Sequence, residues 1–369
     1  MRLFSPREAV IRLEKLITET EDLRRAHGLP DAGKRLFTLK LDTSNLCNLQ
    51  CKHCGVHLIR DVVNPTTMSA GLLETVADTV FPFCNEVCFG SMAEPWMSPL
   101  IEDALDLGRT GGVPVLQVVT NALLLNEKRA RKLIDIQLDV LSVSTDAATP
   151  ETYSRFRNGD FHQVVRNVER LRDLKNQHRS ARPVIRFNFV VMRGNLHEMP
   201  DMVDFAVELG AEMIEFSMPF LDSRLNLEDE VPTRDPARWE EMMEKTRRRV
   251  EVLGLSNVKL PDIPVATTGS RLEPVCMAPW SYLSIGPTGD VYPCCSPYVL
   301  GGPPLGNLGE STIAQILTGP AHDEVRRSLV SGRLRDDCAR CKATDFMSTC
   351  HLNEEYYLDV GPRLPRTGA

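Results

Sequence analysis

Short apolar, β-rich runs alternate with amphipathic helical stretches through the first two thirds of the chain. This alternation restricts the fold more than any other feature. Strands are expected at 36–41, 86–89, 115–119, 140–144, 184–191 and 213–217. Apolar residues at helical spacing mark 70–80, 98–109, 126–135, 161–176 and 197–209 between them. Strands joined through helices pair in parallel. With helices on one face only, such a sheet curls into a partial barrel whose active-site mouth lies at the C-terminal strand ends. The expected fold class is α/β, a partial (β/α)6 barrel with a small cysteine-rich domain at its C-terminal side.

The organisation follows from that core. Residues 1–35 read as an N-terminal helical segment, with a helix over 5–27 that Ser5 caps, Pro6 opens and Gly28 and Pro30 end. The core is expected over 36–225, a helical linker with a helix at 235–253 over 226–270, the cysteine-rich domain over 271–352 and a tail over 353–369. The cysteine-rich stretch carries Pro279, Pro287, Pro293, Pro297 and a Gly301-Gly302-Pro303-Pro304 turn. It reads as too loop-rich to be held by a core alone, and a metal cluster would supply the missing constraint. Trp280 and Tyr282 are expected to pack this segment. A formal net charge of −7 leaves no basic excess for a phosphate backbone, so nucleic acid is disfavoured as a partner. Arg247, Arg248 and Arg249 read as a solvated helix face. No apolar run approaches the ~18 residues of a membrane span, and no export signal opens the chain, so a cytoplasmic protein is expected.

The 11 cysteines fall in groups. Cys47, Cys51 and Cys54 form one; Cys276, Cys294, Cys295, Cys338, Cys341 and Cys350 form another. Cys84 and Cys88 stand apart and read as small buried hydrophobes. In a reducing compartment clustered thiols bind metal more often than they form disulfides. Cys47-x3-Cys51-x2-Cys54 follows directly on the first expected strand, at the catalytic end of a βα barrel. Three thiolates ligate three irons of a cubane and leave the fourth iron open to a substrate, the mark of a catalytic metal site. A zinc site completed by His53 or His57 is the alternative. In the second group, two segments each supply two thiolates, a spacing that suits zinc and [4Fe–4S] alike.

The run LDTSNLCNLQCKHCG resembles the signature loop of the radical SAM superfamily. The resemblance implies a [4Fe–4S] cluster on Cys47, Cys51 and Cys54 whose open iron is chelated by S-adenosylmethionine. One-electron cleavage of that cofactor gives a 5′-deoxyadenosyl radical that abstracts hydrogen from substrate, with the electron drawn from an external flavodoxin- or ferredoxin-like donor. His53 occupies a position often aromatic in the family and would stack near the adenine. The segment FGSMAEP is similar to the family's Gly-Gly-Glu-Pro loop, with Ala93 in place of glycine, and implies that Glu94 holds the methionyl amino group. Thr120-Asn121 resembles the Thr-Asn-Gly turn, with Ala122 in place of glycine. The segment from Ser142 to Asp146 resembles the family's Val-Ser-Leu-Asp stretch, so Ser144 would bond the ribose or carboxylate, with Asp146 nearby. Arg186 would meet the cofactor carboxylate or a substrate oxygen. By strand alternation Arg186 and Asn188 point inward, and Glu215 and Ser217 face the same interior.

The second cysteine group resembles the SPASM/Twitch extension. It implies one auxiliary [4Fe–4S] cluster on Cys276, Cys294, Cys338 and Cys341, with Cys295 and Cys350 spare. Such a cluster accepts or buffers an electron, which suits a radical SAM oxidoreductase. The expected reaction is oxidation or epimerisation of a small polyhydroxylated molecule of the sugar or aminocyclitol kind; modification of a peptide or protein side chain is the alternative. No catalytic acid or base is assigned.

Overall fold

The computed structural model describes residues 37–55, 64–219, 223–261, 278–294, 301–331 and 333–338, with Lys15, Thr18 and Arg35 singly. All but Lys15 and Thr18 of the helix expected over 5–27, most of the 261–274 stretch, the tail, and His57, Cys276, Cys295, Cys341 and Cys350 lie outside the described residues.

Each of six strands is followed by helix. β1 (Phe37–Leu41) precedes α1 (Ala70–Thr79), β2 (Cys84–Phe89) precedes α2 (Ile101–Thr110), and β3 (Val115–Thr120) precedes α3 (Glu127–Asp135). β4 (Val140–Ser144) leads to α4 (Pro150–Arg157) and α5 (Phe161–His178), β5 (Val184–Val190) to α6 (Met199–Glu208), and β6 (Met213–Ser217) to α7 (Pro236–Val252). There follow β7 (Val258–Lys259), α8 (Ala278–Ser281), β8 (Tyr282–Ile285), β9 (Asp290–Tyr292), β10 (Gly306–Asn307), α9 (Ile313–Leu317) and α10 (Pro320–Val330). The α/β class and the (β/α)6 succession are therefore as expected.

The helices begin where side chains satisfy their first amides. Ser69 accepts from Leu72 N, Asn126 from Arg129 N, Asp160 from Gln163 N and Asp235 from Arg238 N. α4 was not expected. Its signals are present, with Thr149 as N-cap and Pro150 at the first position, but at eight residues it shows only one turn of apolar stripe, Tyr153 and Phe156.

The chain packs into two compact units. The first gathers the described residues of Met1–Cys47, Leu58–Val118 and Arg271–Cys341. In it β1 runs parallel to β2 and to β8, and β2 runs parallel to β3. β9 and β10 continue from β8 in antiparallel fashion. Both cysteines of β2, Cys84 and Cys88, are buried, in keeping with a strand covered on both faces.

Among the described residues of the C-terminal segment, Ile313, Ile316, Leu317, Val325 and Leu329 of α9 and α10 are buried, and β8 joins the parallel sheet through β1. Thr312 and Gln315 close a capping box at the start of α9. Buried His322 places Nε2 2.8 Å from Pro279 O, and Arg326 reaches the same carbonyl at 3.1 Å. Burial holds the His322 pKa down at about 3, with Arg326 adding to the effect, so the ring is neutral. Trp280 packs under the Arg326 guanidinium.

The second unit gathers the described residues of Asn48–His57, Val119–Ser270 and Lys342–Ala369. β4, β5, β6 and β7 pair in parallel in chain order. Phe187, Phe189 and Phe216 are fully buried between sheet and helices. No helix among the described residues is long and apolar enough to cross a membrane.

Candidate active site

In the second unit the run from Cys51 to Cys54 forms a tight turn, with Cys54 N donating to Cys51 O at 3.1 Å. Its residues are held from several sides. Lys52 N donates to Phe156 O, at the end of α4, at 2.8 Å. Lys52 Nζ donates to Glu230 Oε1 at 2.7 Å. Glu230 also accepts from Gly194 N at 3.0 Å. Burial raises the Glu230 pKa, but the Lys52 and Gly194 donors and the Arg155 charge outweigh it and hold the carboxyl below its ordinary range. Just upstream, Leu49 packs so closely on Gly159 that a Cβ there would lie 2.9 Å from its side chain.

His53 and Cys51 share one buried anion. Asp146 Oδ2 lies 3.1 Å from His53 Nε2 and accepts from Arg157 Nε at 2.7 Å and Nη2 at 2.6 Å. Asp146 Oδ1 accepts from Val190 N at 2.8 Å. Arg157 turns its remaining Nη1 toward Cys51 Sγ at 3.8 Å. Burial alone would raise the Asp146 pKa; Arg157, His53 and Val190 overcome that and hold it at about 2. The Nδ1 atom of His53 is buried and has no hydrogen-bond partner among the described residues.

Asp146 is fully buried, and both of its oxygens are taken by protein donors. Its own backbone is strained into the left-handed region, φ 56°, and Asn195 braces that turn by donating to Asp146 O at 2.9 Å.

Asn121 is buried at the end of β3. It donates to Asn48 Oδ1 at 2.8 Å and accepts from Leu123 N at 3.0 Å. Ala122, where the family turn has glycine, adopts φ 60°. Ser144, Asn188, Glu215 and Lys259 stand in register across β4, β5, β6 and β7 and so share one face of the sheet. Lys259 Nζ lies 3.0 Å from Glu215 Oε1, and Arg186 Nη1 lies 3.4 Å from Glu215 Oε2. Asn188 Oδ1 is buried without a hydrogen-bond partner.

The first unit carries Cys47, half-buried, and the loop after β2. Gly90 begins that loop at φ 88°, a conformation open to glycine. Glu94 is buried, its N donates to Leu46 O at 2.9 Å, and its side chain accepts from Trp96 N at 3.4 Å. Asp42, at the end of β1, accepts Met92 N on both oxygens, at 3.2 and 3.1 Å. Burial raises its pKa to about 7, against the Met92 and Ser91 amides and the Lys40 charge. Of the expected auxiliary ligands, Cys294 and Cys338 are half-buried in this unit.

These residues fit the implied groups. Cys51 is buried beside a guanidinium, an environment that favours a thiolate ligand. The unpartnered polar atoms His53 Nδ1 and Asn188 Oδ1 suit a polar ligand. No three His, Cys, Asp or Glu side chains among the described residues gather for a single metal ion. A cubane makes no such demand, because each thiolate binds its own iron.

The model of the radical SAM superfamily matches residues 41–206, and that of an iron–sulfur cluster-binding domain, SPASM, matches residues 276–342. This chain belongs to the radical SAM superfamily. A probable GTP 3',8-cyclase of Methanocaldococcus jannaschii is 28% identical over 187 residues, 50% of this chain and 60% of that protein, so the radical SAM chain spans little more than half of such relatives. The AdoMet-dependent heme synthase of Methanosarcina barkeri is 26% identical over 351 residues, 86% of this chain and 94% of that protein. The Bacillus subtilis antilisterial bacteriocin subtilosin biosynthesis protein AlbA is 24% identical over 338 residues, 88% of this chain and 70% of that protein. Among solved structures, Streptococcus suis SuiB bound to its precursor peptide SuiA matches with a TM-score of 0.65 at 14% identity, over 88% of this chain and 73% of that one. That likeness shows a shared fold.

The sequence reading named the cysteines, His53, Glu94, Asn121, Ser144, Asp146 and Arg186 as candidates; it did not name Asp42, Asn48, Arg157, Asn195 and Glu230, which the structure places beside them. Only Asp42 carried a readable signal, a lone carboxylate ending an apolar strand.

Proposed function

We propose that this chain is a radical SAM oxidoreductase that removes hydrogen from a polypeptide side chain, with a second cluster taking up the electron. Cys47, Cys51 and Cys54 would hold one [4Fe–4S] cluster, and Cys276, Cys294, Cys338 and Cys341 the other. With S-adenosylmethionine bound, the first supplies a one-electron cleavage of the sulfonium that yields a hydrogen-abstracting radical. The observation that carries this reading is the Cys51–Cys54 turn, held by α4, Asp146 and Glu230.

Glu94 offers a fixed carboxylate to the methionyl ammonium. His53 and Asn188 would bond the cofactor through their unpartnered polar atoms, and Ser144 would supply a hydroxyl on the same face as Asn188. The paired Arg186, Glu215 and Lys259 give the interior a charged layer that orients a polar substrate. The AlbA alignment, which runs through both domains, supports a polypeptide substrate. A flavodoxin- or ferredoxin-like donor and the cytoplasm, which keeps the thiols reduced, complete the proposal.

The test is anaerobic reconstitution with iron and sulfide. About eight irons per chain are expected for two cubanes. The reduced protein should form 5′-deoxyadenosine, and Cys51→Ala should abolish it. A short peptide encoded beside the gene should lose two hydrogens by mass spectrometry. An unchanged peptide and an oxidised cyclitol or sugar would overturn the substrate assignment in favour of the small-molecule class.

A further inference from the structure

Arg157 is a buried cation that reaches Cys51 of the signature loop in the second unit. It ends α4, where the helix dipole favours positive charge, and Asn158 closes the helix behind it at φ 54°. Two of its donors, Nε and Nη2, are fixed on Asp146 Oδ2. That pairing cancels the net charge and locks the guanidinium plane. The third nitrogen, Nη1, is thereby aimed at Cys51 Sγ at 3.8 Å. Both side chains are buried, so water does not compete for the sulfur.

Hydrogen bonds to cluster sulfurs raise the reduction potential, because they stabilise the extra negative charge of the reduced state. A donor held by a buried carboxylate keeps its direction when the electron arrives, so no reorganisation opposes the change. We propose that Arg157 is a positioning residue whose Nη1–H donates to the Cys51 sulfur and sets the reduction potential of the cluster carried there. This rests on the cluster assignment made above. It goes beyond it by giving the potential a cause in this chain. Asp146 is the hinge of the device: it orients Arg157 on one side and the His53 ring on the other.

The experiment is an EPR-monitored redox titration of the reconstituted enzyme, with the auxiliary cluster as internal reference. Two variants are compared with wild type. Arg157→Lys keeps the charge and the Asp146 pair but replaces the fork by a single ammonium, which leaves Cys51 without its donor. The double variant Asp146→Asn with Arg157→Gln removes both charges together, so neither stays buried alone. Both are checked for folding by circular dichroism and for full iron content. The expected result is a lower potential of the S-adenosylmethionine-binding cluster alone. A tenfold weaker reduction equilibrium corresponds to about 59 mV for one electron. The auxiliary signal stays in place, which a general loosening of structure would not achieve. A folded, iron-replete variant with both potentials unchanged overturns the proposal. A wild-type chain that takes up no iron at Cys47, Cys51 and Cys54, or a Cys51→Ala chain that keeps both clusters, overturns the cluster assignment instead.

Discussion

Asp42 offers a test of the loop architecture that needs no cofactor. It ends β1 in full burial and takes Met92 N on both oxygens, which ties down the loop that bears Glu94. Burial moves its pKa from 3.8 to about 7. Between those values the folded chain holds a proton that the unfolded chain has released. Stability therefore falls as pH rises from 4 to 7 and levels off above 7. A shift of roughly 3 units at ~1.4 kcal/mol each makes the whole effect on the order of 4 kcal/mol, of which about 2.5 kcal/mol falls between pH 5 and 8. Asp42→Asn keeps an oxygen for Met92 N and cannot titrate. Its amide hydrogens add a cost, but that cost is the same at every pH and cancels in the slope. Urea unfolding followed by tryptophan fluorescence, run from pH 5 to 8 on both proteins, reads the difference. Wild type should lose about 2.5 kcal/mol relative to Asp42→Asn across that range. Parallel profiles would refute the raised pKa and with it the view that this carboxyl is sealed from water.

Two further outcomes follow from the same structure. Cys338→Ala should lower the iron content from about eight to about four per chain while 5′-deoxyadenosine still forms, as an iron assay and chromatography will show. Loss of both signals would mean that the two clusters are not separate sites. Asn195→Ala should destabilise the chain by about 3 kcal/mol in urea unfolding, because three buried partners, Asp146 O, Val190 O and Met192 N, lose their bonds together. A cost below about 1 kcal/mol would show that water replaces the side chain.

The strands were legible from their β-branched and aromatic residues, as in the VIRFNFV of β5, where Arg186 and Asn188 alternate with apolar neighbours. α4 was not, since eight residues carry too little periodicity to separate helix from loop. In the C-terminal segment the prolines and glycines that punctuate β8 to β10 stood out in the sequence more than the buried apolar residues of α9 and α10 did. In the site, residues with chemistry of their own stood out by spacing after strands. Residues that hold them did not. Arg157 lies 106 positions from Cys51, and Glu230 lies 178 from Lys52. No local pattern encodes such a pair. Ala122 shows the reverse case. Its departure from the family's glycine was visible in sequence, and its left-handed backbone explains why glycine is preferred there.

The two kinds of cysteine in this chain sharpen the point. Cys84 is buried in β2 and donates to Val80 O at 3.3 Å. Burial drives its pKa far above the ordinary range, and the charge of Arg35 does not offset it, so it remains a thiol that fills space. Cys51 is nearly as buried, yet a guanidinium points at its sulfur and a second anion steadies that guanidinium. Burial therefore does not separate a structural cysteine from a ligand. A donor aimed at the sulfur marks Cys51, the proposed ligand, and that donor is Arg157, the last residue of a short helix.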